Sequence, residues 1–190
     1  MEYIFYIIDN LPFDAVPEKN ILAREKTVVV LITQKDGTFL TEEYGYVTKG
    51  EIYDLITNRE KININGFFVE NFSLDELRRN NGSNTFHQKF EAIGTFFYGD
   101  ACFKYAQFKD ISNFRQAQFY TRVDFTQAEF RSKADFKLAI FYDFTLFRVT
   151  QFFVDVDFSS ACFIKDSVFD HARFASYTFF NFAKFFGQVE

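Results

Sequence analysis

The chain lacks several features that commonly reveal a compartment or a cofactor. Among its 190 residues there is no tryptophan, one methionine and only two cysteines. Two cysteines do not make a disulfide framework, so the sequence favours a reducing, cytoplasmic setting. The two cysteines and two histidines also lack the spacing of a zinc site, and we therefore expect no metal and no cofactor. These four residues are Cys102, Cys162, His87 and His171.

Long hydrophobic runs are scarce as well. The longest apolar stretch near the start covers six residues, 3–8, and lies between Glu2 and Asp9. A signal peptide needs a cationic start and a longer apolar segment, and a membrane span needs ~20 apolar residues. We therefore expect neither a signal peptide nor a membrane partner.

Phenylalanine, by contrast, is present in large excess. It occurs 31 times, although all apolar residues together reach only 48%. A bias of this strength indicates an internal repeat. Charged residues make up 25% of the chain and the net charge is -5, which excludes a disordered polyelectrolyte and makes direct nucleic-acid binding unexpected. The acidity lies in residues 1–96, because residues 97–190 carry 11 acids and 11 bases.

The excess comes from a regular spacing in the second half. Seventeen Phe residues recur at alternating intervals of six and five residues. Two positions before each of them stands a small or β-branched residue, which is Ala, Ser, Thr or Val. The Phe positions are Phe97, Phe103, Phe108, Phe114, Phe119, Phe125, Phe130, Phe136, Phe141, Phe147, Phe152, Phe158, Phe163, Phe169, Phe174, Phe180 and Phe185.

This spacing fits neither a helix nor a continuous strand. A helix would carry apolar residues three and four apart, and a long strand would alternate throughout. Here the alternation lasts for one pair and then resets, as in a chain that runs straight for a few residues and then turns a corner. Both members of each pair point to one side of such a strand. Two intervals of five and two of six give a 22-residue coil with four sides, so all seventeen Phe are predicted to line one interior.

Four segments carry a resemblance to a known family. They are Ala101-Cys102-Phe103, Val123-Asp124-Phe125, Ala134-Asp135-Phe136 and Val156-Asp157-Phe158. They resemble the pentapeptide-repeat family, whose motif is Ala, then Asp or Asn, then Leu or Phe, then two free residues. The resemblance covers residues 84–187 and implies a right-handed quadrilateral β-helix. The sequence departs from the motif in having Phe at every central position and a sixth residue in every second unit.

The first 83 residues lack the repeat and are typical of a small α/β unit, which could cap the β-helix. A β-branched run, a turn at residues 34–37 and two capping-type openings, at Thr48 and Ser73, support this prediction. The predicted elements are strands over 27–33, 38–47 and 62–72 and helices over 48–58 and 74–79. The predicted fold is thus an α/β unit over residues 1–83 followed by a β-helix over 84–190.

Two surfaces of the coil are candidates for partner contacts. The residue after the first Phe of each coil should form an exposed stripe with a spacing of ~4.8 Å, unless like residues stack there only because stacking stabilises the ladder. This stripe is Tyr98, Tyr120, Tyr142, Ile164 and Phe186. No capping helix is predicted after the last coil, and related pentapeptide-repeat proteins pair through this end. The candidate dimer interface is Phe179, Phe182, Phe185 and Phe186.

Charged side chains suggest no convergent catalytic site. A basic set on the first two coils is interleaved with five acids, which is typical of a solvated, salt-bridged face. The basic set is Lys104, Lys109, Arg115, Arg122, Arg131, Lys133 and Lys137. A second group could be imagined as a metal or acid–base site, but the register places its members on different sides of the coil. That group is Asp155, Asp157, Asp166, Asp170 and His171.

Three functions remain open from the sequence. We favour a non-enzymatic scaffold that presents a β-helical face to an unidentified protein partner and forms a homodimer. The family resemblance also implies a DNA-mimicking modulator of a type II topoisomerase such as gyrase, of the kind that protects it from quinolones. Mimicry needs rows of acid along the rod, and the register supplies only short ones such as Asp135 and Asp157. The third is an enzyme whose active site lies in the N-terminal unit.

Overall fold

The structure is a computed structural model that describes residues 3–9, 26–33, 38–80 and 82–190. It begins with three antiparallel strands. They are β1 (Tyr3–Asp9), β2 (Lys26–Thr33) and β3 (Phe39–Val47). The two strands predicted over residues 27–33 and 38–47 are therefore confirmed. The turn predicted at residues 34–37 lies outside the described residues.

Two short helices begin where the capping signals predict them. Helix α1 (Lys49–Thr57) opens with a capping box in which Thr48 accepts from the Glu51 amide and the Glu51 carboxylate accepts from the Thr48 amide. Helix α2 (Leu74–Arg79) starts at the N-cap Ser73. The Tyr53 hydroxyl of α1 donates to the Ser73 carbonyl at 2.7 Å and accepts from its amide at 3.1 Å, which joins the two helices. Burial of this hydroxyl raises the pKa of Tyr53 to about 12.

The remaining strands stack into four parallel sheets, one for each side of a coil. The first side contains β5 (Phe67–Glu70), β8 (Phe96–Tyr98), β12 (Gln118–Phe119), β16 (Ile140–Phe141), β20 (Cys162–Phe163) and β24 (Lys184–Phe185). The second contains β9 (Ala101–Cys102), β13 (Val123–Asp124), β17 (Thr145–Leu146) and β21 (Ser167–Val168). The third contains β6 (Thr85–Phe86), β10 (Gln107–Phe108), β14 (Glu129–Phe130), β18 (Gln151–Phe152) and β22 (Arg173–Phe174). The fourth contains β4 (Ile62–Asn63), β7 (Phe90–Glu91), β11 (Ser112–Asn113), β15 (Ala134–Asp135), β19 (Val156–Asp157) and β23 (Thr178–Phe179). Strands β3, β2 and β1 extend the sheet of the first side beyond β5.

The interior is a set of stacked phenylalanine rings, as the repeat predicts. Along a column, rings one coil apart lie nearly parallel, with Phe108 and Phe130 separated by 4.6 Å between centroids. Rings of neighbouring columns meet edge to face, as Phe108 and Phe114 do. Thirteen of the seventeen predicted Phe are buried, and the last four, Phe169, Phe174, Phe180 and Phe185, stack on the coil below but are left partly uncovered. The four-sided β-solenoid is therefore confirmed.

The ladders continue past the predicted division between residues 83 and 84. Strand β4 pairs with β7 on the fourth side, and β5 pairs with β8 on the first. Residues 62–72 are therefore not one strand, as predicted, but two sides of a further coil. In the next coil Phe90 pairs with Ser112, which is the small residue of its repeat unit. Phe90 therefore occupies the position of the small residue, and Ala92 occupies the position of the inward Phe. This inversion hides the coil from a search for the Phe spacing.

The two lengths of repeat unit make two kinds of corner. In the five-residue units the second residue after Phe has a positive φ, and the next amide bonds back to the Phe carbonyl, as Ala106 does to Phe103 at 3.1 Å. In the six-residue units the extra residue adds one hydrogen bond between coils, because its carbonyl accepts from a backbone amide of the coil below. The Ala101 amide donates in this way to the carbonyl of Arg122 at 3.0 Å.

Replacing Val149 with Gly is expected to stabilise the solenoid. Val149 has a φ of 56°, a conformation that a β-branched residue adopts only under strain, and its side chain is exposed. Relief of ~1–2 kcal/mol of strain outweighs the ~0.5–1 kcal/mol that glycine costs in chain entropy. Urea unfolding should show a gain of about 0.5–1 kcal/mol. The neighbouring change Arg148→Gly, where φ is not positive, should lower stability, and an equal loss in both variants would show that Val149 is unstrained.

Candidate interaction surfaces

The predicted stripe runs along the outer face of the first side. Tyr98 and Tyr120 stack with centroids 5.7 Å apart, and Tyr120 meets Tyr142 edge to face at 5.9 Å. The structure thus brings these side chains together as one column. Only Phe186, at 68% exposure, is an exposed member, and the other four are half-buried. The expectation of an exposed stripe is therefore met by Phe186 and wrong for the other four members.

The N-terminal strands account for part of this burial. Val28, Val30 and Tyr44 form a second apolar cluster with Phe68 and Phe96 on the outer face of the first side. Tyr98 and Tyr120 of the stripe pack against this cluster. The cluster is extended by hydrogen bonds, because the Gln118 amide group donates to the Tyr44 hydroxyl at 3.1 Å and accepts from Tyr142 at 3.2 Å. The first residues of the stripe thus pack against the N-terminal strands. Binding of a partner by the stripe stays a prediction.

The last coil carries the largest exposed aromatic surface among the described residues. Of the four residues predicted for the dimer interface, Phe179, Phe182 and Phe186 are exposed and Phe185 is half-buried. Phe182 is 86% exposed and sits at a corner with a φ of 59°. The prediction missed four further exposed members, Phe174, Tyr177, Phe180 and Val189. Tyr177 could have been found, because it occupies the extra position that holds Ile111, Lys133 and Asp155 in the coils below.

The outer surface of the fourth side changes character at this coil. In the lower coils Asn113, Asp135 and Asp157 each accept a hydrogen bond from the amide two residues on, which closes the following corner. Phe179 stands in register with Asp157 and cannot make this bond. Burial, and secondarily the adjacent Asp157 carboxylate, raises the pKa of Asp135. The carboxylates of this column thus serve the corners, whereas the last coil presents an aromatic ring in their place.

Charged residues elsewhere form local pairs. Lys104 and Arg122 contact the buried Asp124 carboxylate at 3.4 and 3.1 Å, and Arg131 contacts Glu129 at 2.6 Å. Among the described residues, three of the seven members of the basic set thus form the ion pairs expected of a salt-bridged face.

The second charged group is dispersed. Asp155 accepts from Ser176, Asp157 closes a corner, Asp166 accepts from the Gln188 amide, and Asp170 contacts His171. Across the described residues, no three His, Cys, Asp or Glu side chains come together as metal ligands. Cys102 lies on the second side and Cys162 on the first, both as free thiols whose pKa is raised by burial.

A cleft of about 240 Å³ lies beside the N-terminus of α1. Its lining consists of Tyr46, Val47, Thr48, Lys49, Glu70 and Asn71. Thr48 is engaged in the capping box, and Lys49 contacts Glu76 at 2.7 Å. The side chains of Thr48 and Lys49 thus already bond to other residues of the chain.

Four parallel ladders with a 22-residue register and a stacked aromatic interior define a β-solenoid repeat protein. Residues 92–137 match the family model for pentapeptide repeats in nine copies, so the resemblance seen in the sequence is confirmed and pentapeptide repeats build this solenoid. No curated protein and no solved structure matches the chain. Neither helix in the described part of the chain has the length and apolar character of a membrane span.

Proposed function

We propose that this protein is a non-enzymatic interaction scaffold that pairs as a homodimer through its last coil. The observation that carries the proposal is the exposed aromatic surface of that coil, on which Tyr177, Phe182 and Phe186 are each more than two-thirds exposed. Monomeric proteins rarely leave contiguous apolar surface uncovered. Open strand edges lie on the same surface, and an edge of this kind is a template for pairing with another chain. The first side and the N-terminal unit remain available to a different partner at the outer ends of such a dimer.

The alternative of DNA mimicry has less support. Residues 97–190 carry 11 acids and 11 bases, so this part of the solenoid has no net negative charge. The carboxylates of the fourth side that could form a row, Asp135 and Asp157, are engaged in closing corners. Inhibition of gyrase supercoiling by the purified protein would be the result that restores this alternative.

Light scattering tests the pairing directly. We expect the wild type to have a mass of about 45 kDa, twice the 22.5 kDa of the chain. Phe182→Asp together with Phe186→Asp should shift the mass toward 22.5 kDa while the circular dichroism of the β structure is kept. The reason is that two charges would enter an interface that buries these rings.

A matched control uses the same corner two coils below. Leu138 is exposed, has a positive φ like Phe182 and lies in its column. Leu138→Asp should leave the dimer intact. A wild type that stays monomeric at high concentration would contradict the proposal.

A further inference from the structure

The pairing proposed above leaves open how the two copies are oriented, and the structure narrows this to one arrangement. We infer that the two-fold axis passes through the corner between the fourth and first sides, so that Phe182 meets the same residue of a second copy. The inference rests on the proposed pairing through the last coil. It follows from the polarity of the backbone, the slope of the coil and the charges at its rim.

The backbone of the last coil is not the same on its four sides. On the fourth side, amides donate to the coil above, as Phe136 does to Asp157 at 2.7 Å. On the first and third sides, carbonyls accept from the coil above, as that of Phe119 does from Tyr142 at 2.9 Å. In the last coil the equivalent groups have no partner among the described residues. They are the amides of Thr178, Phe180 and Phe182 and the carbonyls of Ala172, Phe174, Ala183 and Phe185.

A four-sided coil allows four two-fold axes across its end, two through the middles of opposite sides and two through opposite corners. The polarity of the backbone excludes the two axes that pass through the middles of sides. A two-fold axis through the middle of a side places that side against the same side of the second copy. Donor-rich edges would then face donor-rich edges, or carbonyls would face carbonyls, and buried polar groups without partners are costly. An axis through a corner instead places the donor-rich fourth side opposite an acceptor-rich side. Only the two diagonals remain.

The slope of the coil selects between the diagonals. The chain climbs one strand spacing of ~4.8 Å per turn, so each side of the last turn stands about 1.2 Å higher than the side before it. The order of rising height is the third, fourth, first and second sides, and the last described rung bridges Val189 to Ser167 on the second. An axis through the corner of the fourth and first sides pairs the lowest side with the highest and the two intermediate sides with each other. The distance between the two copies is then the same at every pair of facing sides. With the axis on the other diagonal, this distance would differ by about one strand spacing between one pair of sides and the other.

Charge at the rim agrees with this axis. It places the second side against the partner's third side, and each of these sides has one exposed charge on its last rung. Glu190 on the second side and Arg173 on the third are both exposed, and neither has an ion-pair partner among the described residues. Opposite charges thus face each other twice in the dimer, which favours this orientation over others.

The same axis explains why Phe182 stands at a position that is unfavourable for it in a single chain. Phe182 holds a positive φ at the corner and leaves 86% of its surface exposed, so in a single chain it combines backbone strain with an uncovered ring. On the axis the two rings pack on each other. Strand spacing across the interface would then place the two Cα atoms about 5 Å apart, within the range that a disulfide bridges.

Cysteine cross-linking tests the axis. In a variant with Cys102 and Cys162 replaced by Ser, Phe182→Cys should give a covalent dimer under mild oxidation. Tyr177→Cys, which lies at the corner of the third and fourth sides, should not. Cross-linking of Tyr177→Cys instead would overturn the inferred axis while leaving the pairing intact. A wild type that is monomeric by light scattering would overturn the pairing itself.

Charge exchange supplies an independent readout. Arg173→Glu and Glu190→Arg should each weaken the dimer by about tenfold or more, because like charges then meet at two symmetric places. The double variant should return to within about threefold of the wild-type dissociation constant. The other diagonal would place Glu190 against Lys184. Rescue of Glu190→Arg by Lys184→Glu rather than by Arg173→Glu would therefore show that the axis is wrong.

Discussion

Substituting Asp for Phe130 is expected to prevent the solenoid from folding. Phe130 is fully buried, and its ring stacks between Phe108 and Phe152 with centroid distances of 4.6 and 4.8 Å. Removing such a ring costs ~3–5 kcal/mol, and an unpaired carboxylate in an apolar interior adds several more. A domain of this size has a stability of ~5–15 kcal/mol, so one substitution removes most of it.

The position in the middle of the stack makes the loss global. Each coil contacts only its neighbours, so a coil that cannot close separates the coils on either side of it. Far-ultraviolet circular dichroism and the yield of soluble protein should both fall sharply.

Phe153→Asp is the matched control, because Phe153 comes directly after Phe152 of the same column but is exposed, with the Arg131 guanidinium 4.9 Å from the centre of its ring. It should cost ~1 kcal/mol or less. If Phe130→Asp unfolded cooperatively near the wild-type temperature, Phe130 could not be an interior residue.

The sequence predicts the solenoid well because one physical requirement repeats in every coil. A small residue, a spacer and Phe must point inward together on each side, and the alternation of five and six residues follows from the two kinds of corner. The N-terminal coil was missed because it satisfies the same requirement with other residues. Ile62 and Phe90 stand where the small residue is expected, and α2 is inserted between the second and third sides.

The surfaces were predicted less well than the core, and for a related reason. Burial of Tyr98 and Tyr120 depends on strands β2 and β3, which come from a distant part of the chain and follow no repeat. The positive-φ corners were also hidden, since Tyr105, Leu138 and Val149 are not residue types that favour this conformation. The position in the coil imposes the backbone conformation there, and the local residue type does not reveal it.

A chain that begins at residue 84 is expected to aggregate. That division would follow from the spacing of Phe, yet it removes β4, β5 and the residues that cover the first complete coil. Phe72, for example, packs against Phe103 with the ring centroids 4.8 Å apart. Without these residues Phe90, Phe97 and Phe103 become exposed, each at a cost of ~1.5–3 kcal/mol, beside strand edges that lose their partners.

A chain that begins at residue 48 provides the comparison. It keeps α1, β4, β5 and α2, whose buried residues Ile52, Ile62 and Leu74 belong to the same core as the phenylalanine columns. It loses β2 and β3, and with them the cover of Phe68 and Phe96. We expect this chain to fold, to stay soluble and to melt below the full-length protein. If the chain from residue 84 were instead soluble and as stable as the full-length protein, the coil formed by residues 62–86 would not be part of the solenoid, and the N-terminal unit would be a separate domain.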